Sequence, residues 1–221
     1  IPSEEMLGQW LISPETNQTY DHVLAIFASS HLCPMFSHMQ NLAKSWIGKC
    51  KIQVIDSLTT SIGLGVVVQA AAESITRGAS LVEVEQIVRG LIPHIYSILC
   101  TPNLSYLYHS KVIDVAQAYV GEMLGFLPIY VLEEGKLSPL EKVKNQRQVI
   151  DLFQEFMDEF DHLQHIALLQ GATANPQVGR LLREHAAANS PKIPFTEHNI
   201  NLTLSTLFGP QTSGITVVES L

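Results

Sequence analysis

Two adjacent hydroxyls, Ser29 and Ser30, close the apolar run of residues 23–27, and His31, Cys33, Pro34 and Met35 follow them. Residues of these types could do three kinds of chemistry. A serine nucleophile needs a positioned base and, on a sharp strand-to-helix turn, glycine neighbours in the pattern G-x-S-x-G. Here the neighbours are Phe27, Ala28, His31 and Leu32, so hydrolysis is the weakest of the three. A zinc site shows paired ligands with a second pair downstream. His31, Cys33 and His38 have no such second pair, and His162 and His165, beside Asp161, read as a surface turn at a helix end. The third chemistry is anion binding. A strand end that feeds a helix start presents hydroxyls and unpaired backbone N–H groups. A plain N-cap or hydroxyl turn accounts for the same pair equally well.

Other candidates are weaker. Gly63-Leu64-Gly65 lies well past the strand that ends at Asp56-Ser57, and Val68 stands where a dinucleotide loop needs its third glycine. The glycines fit close packing of a helix on a neighbour or a ligand. Lys111, Lys142, Lys144 and Arg147 stand out in a weakly charged stretch. They read as a solvated face or as a docking surface for an acidic or phosphorylated partner.

These residues must be positioned by regular elements. Ser3 before Glu4-Glu5 signals a helix start. Residues 22–28 and 51–56 read as strands, and 34–46 as a helix with Pro34 in its first turn. A helix from about 61 to 77 closes on Gly78. Ser80 and Glu83 form a capping-box pattern ahead of Leu81, Val84, Ile87, Val88 and Leu91, which recur at helical spacing. Repeated β-α-β-α predicts a parallel sheet with helices packed on it. Beyond His94 the texture changes. Residues 95–100, 165–172, 200–205 and 214–220 read as strands. Residues 127–144 read as a hairpin turning at Glu134-Gly135, and 146–161 and 176–188 as helices. Val149, Leu152, Phe153, Phe156 and Phe160 line one face of the first of these helices. The expectation is two domains: 1–94, α/β with a parallel sheet, and 95–221, α+β with a mixed, largely antiparallel sheet.

Bulk composition narrows the classes. Of 221 residues, 46% are apolar and 15% charged, which suits a globular chain with an extensive interior; mean hydropathy is +0.17. A net charge of −8 without a basic stripe argues against nucleic acid and anionic membranes as partners. No apolar run reaches the ~18–20 residues of a membrane span. Three cysteines without metal spacing suit a reducing cytoplasm. The chain opens at Ile1-Pro2-Ser3 without an initiator Met, so a further natural N-terminal segment is expected.

Taken in order, the pieces resemble the DegV family of bacterial fatty-acid-binding proteins. Its S-S-G-L-S-G-T turn is matched by Ser29-Ser30-His31-Leu32-Cys33-Pro34-Met35, and its V-D-S strand end by Ile55-Asp56-Ser57 before the glycine-containing helix "SIGLGVVVQAAA". Its D-T-L-x-Y-L run is matched by "CTPNLSYLYHSKVI", its K-P-I hairpin by "LGFLPIYVLEEGKLSPLEKVK", and its H-A-G-A strand end by "LQGA". Its H-x-G-P-G is matched by Leu207-Phe208-Gly209-Pro210-Gln211. The resemblance covers essentially the whole chain, and order and spacing carry it.

The resemblance implies two α/β domains holding a long-chain fatty acid, such as palmitate, stearate or oleate, between them. It implies no catalytic residue, metal or other cofactor, and a partner kinase that receives the acid. It implies Ser29 and Ser30 at the carboxylate, with His31 expected beside them, and Gly63, Leu64, Met123, Leu124 and Phe126 are expected around the tail. Lys111, Lys144 and Arg147 are implied at the head group or at the partner. The family histidine is replaced by Leu207 and its arginine by Lys111, and His31 and Pro34 replace turn glycines. A carboxylate buried by apolar surface needs several donors, so His31 is expected to substitute for a lost one. The competing expectation is a diverged module with another ligand or none; a serine hydrolase ranks below both.

Overall fold

The computed structural model describes residues 2–13, 20–48, 50–171 and 176–220. The chain divides into two units, Ile1–Ile92 with Glu134–Lys136, and Pro93–Glu133 with Leu137–Leu221.

In the first unit, helix α1 (Glu4–Ile12) starts at Ser3, whose Oγ accepts the Met6 N–H. Strands β1 (His22–Phe27) and β2 (Lys51–Asp56) pair in parallel, from His22 opposite Lys51 to Phe27 opposite Asp56. Helix α2 (Met35–Ser45) links them, with Pro34 at its N-cap. Helix α3 (Ser61–Thr76) ends where Gly78 takes φ +89°, a left-handed conformation that glycine adopts without strain. Helix α4 (Leu81–Leu91) carries the expected capping box: Ser80 Oγ accepts the Glu83 N–H, and the Glu83 carboxylate accepts the Ser80 N–H. Val84, Val88 and Leu91, at helical spacing, are the buried face.

The second unit is built on a six-stranded sheet in the order β5-β4-β3-β8-β6-β7. Its strands are β3 (Ile95–Cys100), β4 (Leu127–Glu133), β5 (Lys136–Val143), β6 (Leu163–Gln170), β7 (Phe195–Asn199) and β8 (Ser213–Glu219). β3 runs antiparallel to β4 and β8, β6 antiparallel to β8, and β7 parallel to β6. This is the expected mixed, largely antiparallel sheet. Ser97 and Thr216, opposed on β3 and β8, share a buried hydrogen bond of 2.9 Å that satisfies both hydroxyls.

Helix α7 (Gln146–Asp158) is capped by the Asn145 side chain, which accepts the Gln148 N–H. It buries Val149, Ile150, Phe153, Phe156 and Met157, with Leu152 and Phe160 packed at the margin of the same core. Helix α8 (Pro176–Asn189) adds Val178, Leu182 and Ala186 to that core. Two shorter helices, α5 (Leu104–His109) and α6 (Val115–Met123), connect β3 to β4.

One segment differs from expectation. Residues 200–205 form no strand: β7 ends at Asn199, and helix α9 spans Leu202–Phe208. The alternation Ile200-Asn-Leu-Thr-Leu-Ser has the period of a strand, but Asn201 caps the following turn by accepting the Leu204 N–H at 2.9 Å. Leu204 and Phe208 then bury at i, i+4 while Leu202 stays exposed. Capping overrides a short period-two pattern here. The expected strand over 165–172 begins earlier, at Leu163, and its Ala172 lies outside the described residues.

Candidate functional site

Two features gather the residues with functional chemistry, one in each unit. The first is the turn at the carboxyl ends of β1 and β2. Ligands of parallel α/β sheets gather at such strand ends. Ser29 is fully buried. Its Oγ donates to the Gly135 carbonyl at 2.6 Å and accepts the His31 N–H at 3.2 Å. Its own N–H donates to Thr59 O at 2.8 Å, and its carbonyl accepts the Leu32 and Cys33 N–H groups. The hydroxyl proton thus goes to a carbonyl and not to a base, so this is not the geometry of an activated nucleophile.

Ser30 is held differently. Its N–H faces both carboxylate oxygens of Asp56 at 3.3 Å, and Leu58 N–H donates to Asp56 Oδ1 at 3.0 Å. The last residue of β2 therefore brings an anion into the turn. Ser57, Thr59 and Thr60 add buried hydroxyl residues beside it, and Thr59 Oγ1 has no hydrogen-bond partner among the described residues. Leu58 and Ser61 take φ of +50° and +54°, a region that costs non-glycine residues about 1–3 kcal/mol. Gly135, at φ +82°, sits so close that a Cβ there would lie 2.5 Å from Ser29 Oγ. Only glycine allows that approach. His31 is exposed, and Cys33 is half-buried.

The second feature is a cavity of about 510 Å³ within the second unit. Leu104 on α5, Val112 and Ile113 after it, Ala116, Val120 and Gly121 on α6, and Leu124 and Phe126 beyond form much of its wall. Pro128, Leu137 and Pro139 from the hairpin strands complete the apolar lining, and Gln117, Tyr130 and Lys142 are its polar members. The wall is tightly made where α5 meets α6: a Cβ on Gly121 would lie 2.3 Å from Leu104 Cδ1. Asp114 caps α6 by accepting the Gln117 N–H at 2.8 Å, while Gln117 Oε1 accepts the Asp114 N–H at 3.2 Å. Tyr130 is buried, and burial raises its pKa, so its hydroxyl stays protonated.

The residues expected around an acyl tail are distributed unevenly. Leu124 and Phe126 line the cavity. Met123, next to them, is 78% exposed and is not among the lining residues. Leu124 and Phe126 reach the cavity wall beyond the end of α6 at Met123, in a segment where Gly125 takes φ +64°. Gly63 and Leu64 lie on α3 of the first unit, Gly63 buried and Leu64 half-buried, and do not line this cavity. Lys111 takes φ +60° just after α5 and donates its N–H to Tyr108 O. Lys144 donates its N–H to Gln148 Oε1, and Arg147 borders an open groove of about 450 Å³ along α7 and α8.

Sequence reasoning passed over most of the cavity wall and Lys142's place in it. It places Asp56 and Ser57 at a strand end but gives them, and the buried hydroxyls of Thr59 and Thr60, no role in a site. Those hydroxyls had a signal, the run Ser57-Leu-Thr-Thr-Ser directly after a strand. Among the described residues no group of three or more His, Cys, Asp or Glu side chains could hold a metal ion, and no helix is long and apolar enough to cross a membrane.

The chain is a two-unit α/β protein: one unit carries a parallel strand pair followed by buried hydroxyls, and the other a mixed sheet with an apolar cavity. The model of the family described as "Uncharacterised protein, DegV family" matches residues 2–220, and the chain belongs to the DegV family. A DegV domain-containing protein of Caldanaerobacter subterraneus is 31% identical over 140 residues, covering 63% of this chain and 50% of that protein. Protein DegV of Bacillus subtilis is 25% identical over 206 residues, 91% of this chain and 72% of that one. The chain thus spans about half the length of the Caldanaerobacter relative. A fatty acid binding DegV family protein from Streptococcus agalactiae superposes with a TM-score of 0.84 at 20% identity, over 100% of this chain and 77% of that one. A DegV family protein from Eubacterium eligens loaded with heptadecanoic acid superposes with a TM-score of 0.81 at 12% identity, over 99% and 78%. These likenesses establish the fold.

Proposed function

We propose that the protein binds a long-chain fatty acid, such as palmitate, stearate or oleate, with its acyl chain in the cavity of the second unit. The observation that carries this reading is the cavity itself. Its volume falls within the ~300–1,000 Å³ usual for small-molecule sites, and its lining is apolar apart from three residues. Burying methylenes gains about 0.8 kcal/mol each, so ten of them supply about 8 kcal/mol before the cost of association. The solved relatives described as fatty acid binding or loaded with heptadecanoic acid support the same ligand class.

The turn of Ser29, Ser30 and His31 is proposed to receive the carboxylate. Ser30 Oγ and the exposed His31 ring are its open groups. Ser29 Oγ joins only by exchanging the Gly135 carbonyl for the ligand. The protein itself catalyses nothing in this reading. It works in the cytoplasm, where its three free cysteines remain reduced, and presents the acid to a partner kinase. Lys111, Lys144 and Arg147 are the proposed docking cations for that partner.

A second reading, a diverged module with a neutral apolar ligand, is favoured by one observation: the Ser29 and Ser30 backbone donors and the Ser29 hydroxyl are already engaged. Mass spectrometry of lipid extracted from the denatured, purified protein decides between them. A bound C16–C18 acid, with thermal stabilisation on adding palmitate, supports the fatty-acid reading. A neutral lipid supports the second reading, and absence of any lipid together with no stabilisation by palmitate refutes the first.

A further inference from the structure

We propose a metal site on the second unit: His185, Asp158 and Asn189 form a three-ligand seat for a divalent first-row transition ion at the shared end of α7 and α8. The site is separate from the fatty-acid reading, and none of the three residues lines the cavity. His185 and Asn189 stand one turn apart on α8, and Asp158 is the last residue of α7. His185 Nε2 lies 2.8 and 3.0 Å from the two Asp158 carboxylate oxygens. The Asn189 amide nitrogen lies 3.2 Å from Asp158 Oδ1 and 3.0 Å from His185 Nε2. Three polar side-chain atoms thus meet in a triangle with edges of 2.8, 3.0 and 3.2 Å.

Protons alone do not satisfy that triangle. Facing the ionised carboxylate, Nε2 must carry a hydrogen; facing the Asn189 NH₂ group it must offer a lone pair, and one ring nitrogen cannot do both. Turning the amide over lets its oxygen accept the Nε2–H, but that oxygen then meets Asp158 Oδ1 with no hydrogen between them. A cation satisfies all three groups at once, taking the Nε2 lone pair, a carboxylate oxygen and the amide oxygen. Two ligand atoms about 2.1 Å from one ion, at right angles to each other, lie about 3.0 Å apart, close to all three edges. Right angles fit one face of an octahedron, and imidazole among oxygen ligands suits a transition ion better than Mg²⁺ or Ca²⁺. The helix field has the right sign as well. α7 and α8 run the same way: Ile150 and Val178, near their starts, border one groove, and Asp158 and Asn189 end them together. Both helix dipoles therefore turn their negative ends toward the site. Asp158 and Asn189 are exposed and His185 is half-buried, so an ion reaches them from solvent.

The test titrates the untagged chain with Ni²⁺ by calorimetry. One Ni²⁺ per chain is expected, uncontested by Mg²⁺ at the same concentration. His185→Leu and Asp158→Asn are each expected to weaken binding about tenfold or more, and His165→Gln to leave it unchanged. Asn189→Asp separates an ion site from a plain His–Asp pair. It puts a second carboxylate into the triangle, so it should tighten Ni²⁺ about tenfold while lowering the thermal midpoint of the metal-free protein. Ni²⁺ should then restore that midpoint. Absence of stoichiometric binding by wild type would overturn the inference. So would binding that survives His185→Leu undiminished, or an Asn189→Asp protein that gains no affinity.

Discussion

The hydroxyl turn of the first unit and the cavity of the second are opposite answers to holding a ligand. The turn is rich in polar groups, but they are largely spent. Ser29 Oγ is bonded to Gly135 O, the Ser30 N–H to Asp56, and the Ser29 N–H to Thr59 O. The cavity is poor in polar groups, yet it has about 510 Å³ of space and an exposed lysine, Lys142, among its lining residues. Polar residues read from sequence are therefore a poor guide to free binding capacity. A buried hydroxyl with its bonds made is structure, whereas apolar surface left uncovered is stored binding energy.

Substitutions can break or sharpen this contrast. The largest effect is expected from filling the cavity. Ala116 lines it and is exposed, so Ala116→Trp occupies ligand space without overpacking a core. Palmitate affinity should fall about a hundredfold, roughly 2.7 kcal/mol, with the thermal midpoint of the ligand-free protein nearly unchanged. Retained affinity would move the acyl site away from the second unit.

Next come the two serines, which the contrast separates. Ser29→Ala leaves the Gly135 carbonyl without its hydroxyl donor in a buried place and should cost about 1–3 kcal/mol in urea unfolding. Ser30→Ala removes an Oγ that makes no hydrogen bond among the described residues and should stay within about 0.5 kcal/mol. Its effect, if the turn holds the carboxylate, is about a threefold loss of palmitate affinity. Equal stability losses for the two serines would show that the turn is not spent in the way described.

The smallest effect is a pH dependence outside both regions. His165 Nε2 lies 2.9 Å from Thr196 Oγ1, and His198 shares the same hydroxyl at 3.1 Å. Burial first, and His198 second, push the His165 pKa below its usual value. The unfolded chain then binds more protons from that depressed value up to about pH 6.5, so stability rises with pH through this window and levels off above it. Urea midpoints measured from pH 5 to 7.5 should show a shallower rise in His165→Gln than in wild type.

Much of the fold was legible because its signals are local. Ser80 with Glu83, Gly78, and the Glu134-Gly135 turn each fix a boundary through a few neighbouring residues. Residues 200–205 misled because their alternation is short, and one capping bond from Asn201 outweighs it. The Ser29–Ser30 turn was visible as a motif. Its hydrogen-bond state was not, since Gly135 lies 106 residues away along the chain. The cavity was only partly visible. Leu124 and Phe126 were found, but Ala116, Val120 and Lys142 are brought to one wall by the turns of α5, α6 and β5, and no periodicity in the sequence announces empty space.

The central claim, that the second unit's cavity receives the acyl chain, is tested most directly by photo-crosslinking. The purified protein is irradiated with a diazirine-bearing palmitate analogue, and the labelled peptides are mapped by mass spectrometry. The account predicts label on residues that line the cavity, such as Leu104, Val120, Leu124 and Phe126, suppressed by excess palmitate and absent in Ala116→Trp. Competable label confined to residues 22–61 of the first unit, with none between 104 and 142, would contradict it.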